Sequence, residues 1–149
     1  MDDSHSHQSL TDVNFIISFQ KIKKCYERMY ADVRKSYNLT QNEIDVLIFI
    51  KRHPGLDTAG EIAGGQSLSR SLVCKSVESL LDNQYLIAEE DREDRRFLHL
   101  KLTDKAEEIL QKLLQVREDF WLILEKNIKR EEMDVFLRVF NQMKLNLDD

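Results

Sequence analysis

The sequence predicts a mainly α chain carrying one small β-hairpin in its second half. Three observations point there. Apolar residues recur at helical spacing over most of the 149 residues. Only four glycines and one proline interrupt them. Between residues 86 and 102 the pattern switches to alternation on either side of a polar tip, Asp91 to Arg96.

From Asn14 to Tyr37, Phe15, Phe19, Ile22, Tyr26, Met29 and Val33 stand at spacings of 4, 3, 4, 3 and 4, one stripe of a long helix. Thr40-Gln41-Asn42-Glu43 is a capping box, the Thr hydroxyl on an orphan N–H and the Glu reaching back. It opens a helix through Ile44, Val46, Leu47 and Ile50 that Pro54-Gly55 stops. Thr58-Ala59-Gly60-Glu61 is a second such box, opening a short helix through Ile62 and Ala63. Gly64-Gly65-Gln66 reads as a turn. Ser67 or Ser69 then caps a helix running to about Asn83. A turn of 3.6 residues puts Leu72, Val73, Val77, Leu80 and Leu81 inward, with Arg70, Ser71, Cys74, Lys75 and Glu78 on the other side.

The hairpin strands are expected near Leu86 to Glu89 and Arg96 to Leu102. In the second, Leu98, Leu100 and Leu102 alternate with Phe97, His99 and Lys101, one dry face and one wet. Helical spacing resumes at Asp104 and runs to about Asn127. Leu110, Leu114, Trp121, Leu124 and Ile128 mark one side, widened by Leu113, Val116, Phe120 and Ile123. A last helix starts near Arg130, with Met133, Phe136, Phe140, Met143 and Leu147 at spacings of 3, 4, 3 and 4.

This order, helices then a hairpin then helices, is that of a winged helix-turn-helix core with N- and C-terminal extensions. We expect residues 1–9 to be a flexible tail, residues 38–103 the winged helix-turn-helix, and residues 10–37 and 104–149 dimerisation helices. The terminal helices carry more apolar surface than so small a core needs, and a second subunit is the economical cover. A homodimer is therefore expected.

Composition removes several alternatives. The longest apolar run, Val46 to Ile50, is far too short to span a bilayer, and the first nine residues lack a signal-peptide core. Cys25 and Cys74 make neither a disulfide framework nor a metal cluster, so a reducing cytoplasm is the default. There is no glycine-rich phosphate loop, no pair of His ligands at helical spacing and no nucleophile motif; His53 and His99 stand isolated. We expect no enzyme, no cofactor and no metal.

A hairpin with arginines at its tip, following a helix rich in Ser, Arg and Lys, suits double-stranded DNA: the helix enters the major groove and the wing reaches the backbone or minor groove. The candidate recognition residues are Ser67, Ser69, Arg70, Ser71 and Lys75. The wing candidates are Arg92, Asp94, Arg95 and Arg96, with Asp94 placed to aim the Arg96 guanidinium. The bland alternative is a solvated helix face and a hairpin tip that merely stays soluble. The charge map is not lavish. The net charge is −5, and from Gln66 to Lys101 the bases Arg70, Lys75, Arg92, Arg95, Arg96 and Lys101 face the acids Glu78, Asp82, Glu89, Glu90, Asp91, Glu93 and Asp94. Affinity must come from placement, and non-specific binding should be modest. Two rivals stay open: a winged-helix interaction module or antirepressor with weak DNA binding, and a redox sensor in which oxidised Cys74 adds bulk or charge against DNA.

With these residues in place the chain resembles the MarR family of bacterial regulators over nearly its whole length. The most specific match is Asp91-x-x-Asp94-Arg95-Arg96 followed by Leu100-x-Leu102-Thr103; Leu68-Ser69-Arg70-Ser71-Leu72-Val73 and Glu61-Ile62-Ala63 also fit. The resemblance implies a dimeric repressor of a pseudo-palindromic operator, with terminal helices from both subunits joined. It further implies release by a small anionic aromatic or phenolic ligand held between domains. Tyr30, Phe49 and Trp121 are aromatic candidates for such a cleft, with core packing as the plainer role. The chain departs from the family pattern at Gln84 and Ala106, where glycine is common, at Gly64-Gly65, where charged residues are usual, and near Ala88 or Glu89 before the wing, where arginine is frequent and the chain here is acidic.

Overall fold

A computed structural model describes residues 13–66 and 68–147. In chain order the elements are α1 (Val13–Met29), α2 (Ala31–Tyr37), α3 (Gln41–Arg52), α4 (Ala59–Gln66), α5 (Arg70–Asp82), β1 (Leu86–Glu90), β2 (Leu98–Leu102), α6 (Asp104–Leu124) and α7 (Arg130–Leu145). The chain is mainly helical with a single two-stranded antiparallel sheet among the described residues. The expected tail, residues 1–9, lies outside the described residues, as does Ser67.

Both capping boxes form. The Glu43 N–H donates to Thr40 Oγ1 at 3.2 Å while the Glu43 carboxylate accepts the Thr40 N–H at 2.7 Å. Glu61 and Thr58 repeat the exchange at 3.3 and 3.0 Å. Past α3, Gly55 takes a φ of +90°, a conformation in which a side chain is strained.

Contacts divide the chain into two compact units that meet between Val116 and Arg117. In the first, Ile44 and Leu47 of α3, Ile62 of α4, Val73 and Leu80 of α5, Leu86 and Leu100 of the hairpin, and Ile109, Leu110 and Leu113 of α6 form one buried cluster. Each such side chain contributes about 1.5–3 kcal/mol on leaving water. The hairpin pairs Leu86 with Leu102, Ala88 with Leu100 and Glu90 with Leu98. A Cβ on Gly65 would collide with the Phe49 ring, so α4 approaches α3 as closely as glycine permits. In the second unit, the Phe136 and Phe140 rings stack 5.7 Å apart along α7. Leu122 and Ile123 are more than half exposed, and Val135, Phe136, Val139 and Met143 about half.

Several elements differ from the sequence expectation. The long first helix breaks at Tyr30, which is wholly buried and donates its hydroxyl to the Leu113 carbonyl at 3.2 Å. Gly64-Gly65-Gln66 is the last turn of α4, not a turn between helices. Leu72 is exposed, because the inner face of α5 runs through Val73, Ser76, Val77 and Leu80 and leaves Leu72 at its edge. Ser76 fits inside because its hydroxyl donates to the Leu72 carbonyl at 2.9 Å. β2 starts at Leu98, since Phe97 N–H turns back to the Asp94 carbonyl and the residues before it belong to the tip. Leu98 and Phe97 are both about half exposed; only Leu100 of β2 is fully covered.

Candidate nucleic-acid interface

The first turn of α5 is built around Ser69. Its backbone is extended (φ −63°, ψ 143°), its carbonyl accepts the Val73 N–H at 3.1 Å, and its hydroxyl oxygen accepts the Leu72 N–H at 3.2 Å. Ser69 is therefore the N-cap, the role that the sequence left open between it and Ser67. Because Val73, Ser76, Val77 and Leu80 face the core, Arg70, Ser71, Cys74, Lys75 and Glu78 share the exposed side. The helix thus presents hydroxyls, a guanidinium and an ammonium near its positive dipole end, a surface suited to anions.

The tip of the hairpin is held by carboxylates. Asp91 Oδ1 accepts the backbone N–H groups of Glu93 and Asp94 at 2.8 and 2.9 Å. The Asp91 N–H donates to the Phe97 carbonyl at 3.0 Å and closes the loop. Asp94 takes Arg96 as the sequence anticipated: Nη2 to Oδ2 at 2.7 Å and Nε to Oδ1 at 2.9 Å, a bidentate pair that lowers the Asp94 carboxyl and fixes the guanidinium plane. Arg95 is more loosely tethered, with Nε 3.9 Å from Glu90, and both guanidinium side chains are more than four-fifths exposed. Arg92 is also exposed. The fold therefore gathers Arg92, Asp94, Arg95 and Arg96 into one loop, and Ser69, Arg70, Ser71 and Lys75 onto one helix side.

His99 is not isolated, contrary to the sequence reading. Its Nδ1 lies 2.6 Å from Asp57 Oδ1 and its Nε2 lies 2.7 Å from Asp91 Oδ2. Asp57 sits in the loop before α4, and its carbonyl also accepts the Leu100 N–H at 2.9 Å. The two carboxylates, Asp57 first, hold the imidazole up at about 9. His99 in turn, helped by the tip N–H groups, holds the Asp91 carboxyl down at about 2. The arrangement is complete below the ordinary imidazole range, loses its His99 contribution as pH rises through about 9, and loses its Asp91 contribution only as pH falls through about 2. Spacing along the chain gave no signal for it, because Asp57 and His99 stand 42 residues apart.

A groove of about 450 Å³ opens in the first unit, lined among others by Lys23, Tyr26, Asp45, Phe49, Arg52 and His53. The Phe49 and His53 rings lie 4.5 Å apart. Asp45 accepts from the Tyr26 hydroxyl at 3.0 Å and from Gln41 Nε2 at 3.1 Å. Burial raises its carboxyl above the usual range in spite of those bonds. Of the three aromatic candidates, Phe49 lines this groove, while Tyr30 is core rather than lining. Trp121 belongs to a different surface in the second unit, with the Arg117 guanidinium 5.8 Å from its ring centre.

Comparison with known proteins agrees with this fold. The model of the MarR family matches residues 37–96, from the end of α2 to the third wing arginine. An uncharacterized HTH-type transcriptional regulator of Staphylococcus aureus (strain Mu50) is 25% identical over 136 residues, covering 87% of this chain and 89% of its own. A MarR protein from Peptoclostridium difficile superposes with a TM-score of 0.79 at 18% identity, over 99% of this chain and 92% of that one. Staphylococcus aureus MarR, solved in complex with salicylate and kanamycin, gives a TM-score of 0.69 at 25% identity over 89% of each chain.

Proposed function

We propose that the chain is a regulator of the MarR family, whose model matches residues 37–96, and that it is a homodimeric repressor of a pseudo-palindromic operator. One observation carries the reading: an anion-seeking helix N-terminus with Ser69, Arg70, Ser71 and Lys75 outward, joined in the same unit to a hairpin tip with exposed Arg95 and Arg96. In each subunit α5 lies in a major groove, Arg70 and Ser71 toward base edges, Ser69 and Lys75 toward phosphate. Arg92, Arg95 and Arg96 follow the backbone or the adjacent minor groove, with Asp94 orienting Arg96. Ser67, outside the described residues, is proposed as a DNA contact from the sequence alone.

The exposed apolar side chains of α7 and the end of α6 support the homodimer; Leu122, Ile123, Phe136 and Val139 need cover. Two-fold symmetry then sets half-sites roughly 10 bp apart, centre to centre. The groove bearing Lys23, Arg52, Tyr26 and Phe49 supports release by a small anionic aromatic ligand, and the salicylate held by the staphylococcal relative belongs to that class. Such a regulator acts in the cytoplasm.

The test is a gel shift on DNA upstream of its own gene across a salt series. Binding should fall steeply with salt as counterions are released. A folded dimer that shifts no upstream fragment in a salt-sensitive manner sinks the proposal and favours the interaction-module reading. The seven acids set against six bases from Gln66 to Lys101 keep that reading in view.

A further inference from the structure

We propose that His99 is a positioning residue of the wing, its imidazolium tying the tip carboxylate Asp91 to Asp57 and so holding Arg95 and Arg96 where they meet DNA. The inference rests on the wing–DNA contact proposed above.

The bonds form an unbroken series. Asp57 meets His99 Nδ1, and His99 Nε2 meets Asp91. Asp91 binds the Asp94 N–H, and Asp94 grips Arg96. Both ring nitrogens face carboxylate oxygens, which only accept. A neutral imidazole has one N–H, so it satisfies one side and sets a lone pair against the other; only the cation satisfies both. Loss of the proton therefore frees one end of the series. It also leaves Asp57 and Asp91 as two uncompensated negative charges beneath a loop that must approach phosphate.

The other charged groups around the imidazole do not replace it. On β1, Glu89 is its register partner and is already joined to Lys101 of β2 at 2.6 Å. Glu90 lies beside Arg95. On α4 the Glu61 carboxyl is held low first by Thr58, with a smaller part from His99. Arg92 and Glu93 line the same hollow as Asp57, Asp91 and His99. Most of these are acids, and Lys101 and Arg95 are taken up by Glu89 and Glu90, so the site favours the cation.

The experiment compares the wild-type chain, His99→Gln, Asp57→Asn and Arg95→Ala/Arg96→Ala. The DNA probe is a random-sequence duplex of roughly three helical turns at low salt, where sequence-independent backbone contact dominates. Wild-type affinity should be level from neutral pH upward and fall several-fold as pH passes about 9. His99→Gln and Asp57→Asn should each bind about three- to tenfold more weakly at neutral pH, in the range of one lost hydrogen bond, and show no such step. Adding His99→Gln to the double arginine variant should cost less than it costs the wild-type chain. Without DNA, ¹⁵N spectra should show both imidazole nitrogens protonated at neutral pH, and the Glu93 and Asp94 amides should exchange faster in His99→Gln. The inference is overturned if His99→Gln keeps the wild-type affinity and pH step, or if the ring nitrogens titrate below neutrality. Undiminished binding by the arginine variant overturns the wing–DNA reading, and this inference with it. Arginine loss with an innocent His99 overturns this inference alone.

Discussion

Ser69 has two jobs on the proposed reading, and substitution separates them. Its oxygen caps α5 through the Leu72 N–H at 3.2 Å, while its own hydroxyl hydrogen is available to a phosphate. Ser69→Ala removes both. Loss of a cap of this kind costs ~1 kcal/mol, which for a chain of this length lowers Tm by about 3 °C. Loss of one phosphate hydrogen bond costs ~0.5–1.5 kcal/mol per subunit. Doubled across a dimer, that is roughly a five- to hundredfold drop in affinity. Ser69→Asp divides the effects. Aspartate caps as well as serine and interacts favourably with the helix dipole, so Tm should be held or raised. Its charge meets phosphate with repulsion, so affinity should fall at least as far as in Ser69→Ala. Thermal unfolding by circular dichroism gives the first quantity and fluorescence anisotropy on a labelled duplex gives the second. A Ser69→Asp protein of full stability that binds DNA as the wild type does would show that this turn does not face the backbone. A Ser69→Asp protein that melts as early as Ser69→Ala would refute the capping argument instead.

Arg70→Ala should cost ~1–3 kcal/mol on the operator and relax preference at one base position; equal loss on operator and random duplexes in a competition assay would make Arg70 a phosphate contact. Arg95→Ala/Arg96→Ala should flatten the slope of log affinity against log salt by about 2 per subunit, one for each phosphate contact, and an unchanged slope would place the wing off the duplex. Leu80→Ala, at a wholly buried position under α5, should lower stability by about 2–5 kcal/mol in urea titration. Gln84 holds a φ of 61°, the left-handed region; Gln84→Gly should raise stability by about 0.5–1 kcal/mol, the strain relieved less the added chain entropy, and no gain would show that the strain is absorbed elsewhere.

The features legible in the sequence are those set within a few residues. Thr40 with Glu43, and Thr58 with Glu61, announce helix starts because the bonds that form them span three positions. Asp94 with Arg96 is legible for the same reason. The Gln84 departure from glycine was visible too, and it falls where the chain leaves α5 in a left-handed turn. What escaped the sequence depends on distant partners. The break at Tyr30 answers to a carbonyl on α6. The helical state of Gly64-Gly65 reflects the Phe49 ring pressed against that backbone, where glycine serves close approach rather than turning. His99 looked solitary because its partner Asp57 becomes its neighbour only once β2 lies against the loop before α4.

Two of the wing arginines enter any encounter already engaged, Arg96 by Asp94 and Arg95 by Glu90. On the proposed reading each guanidinium meets a duplex with a carboxylate still beside it, so part of its charge is already offset and the net attraction is shallow. Shallow holds are readily reversed: each ~1.4 kcal/mol of preference for the unbound form shifts occupancy tenfold. On that reading, self-neutralisation of this loop makes for a regulator that lets go under light provocation, trading tenacity for responsiveness.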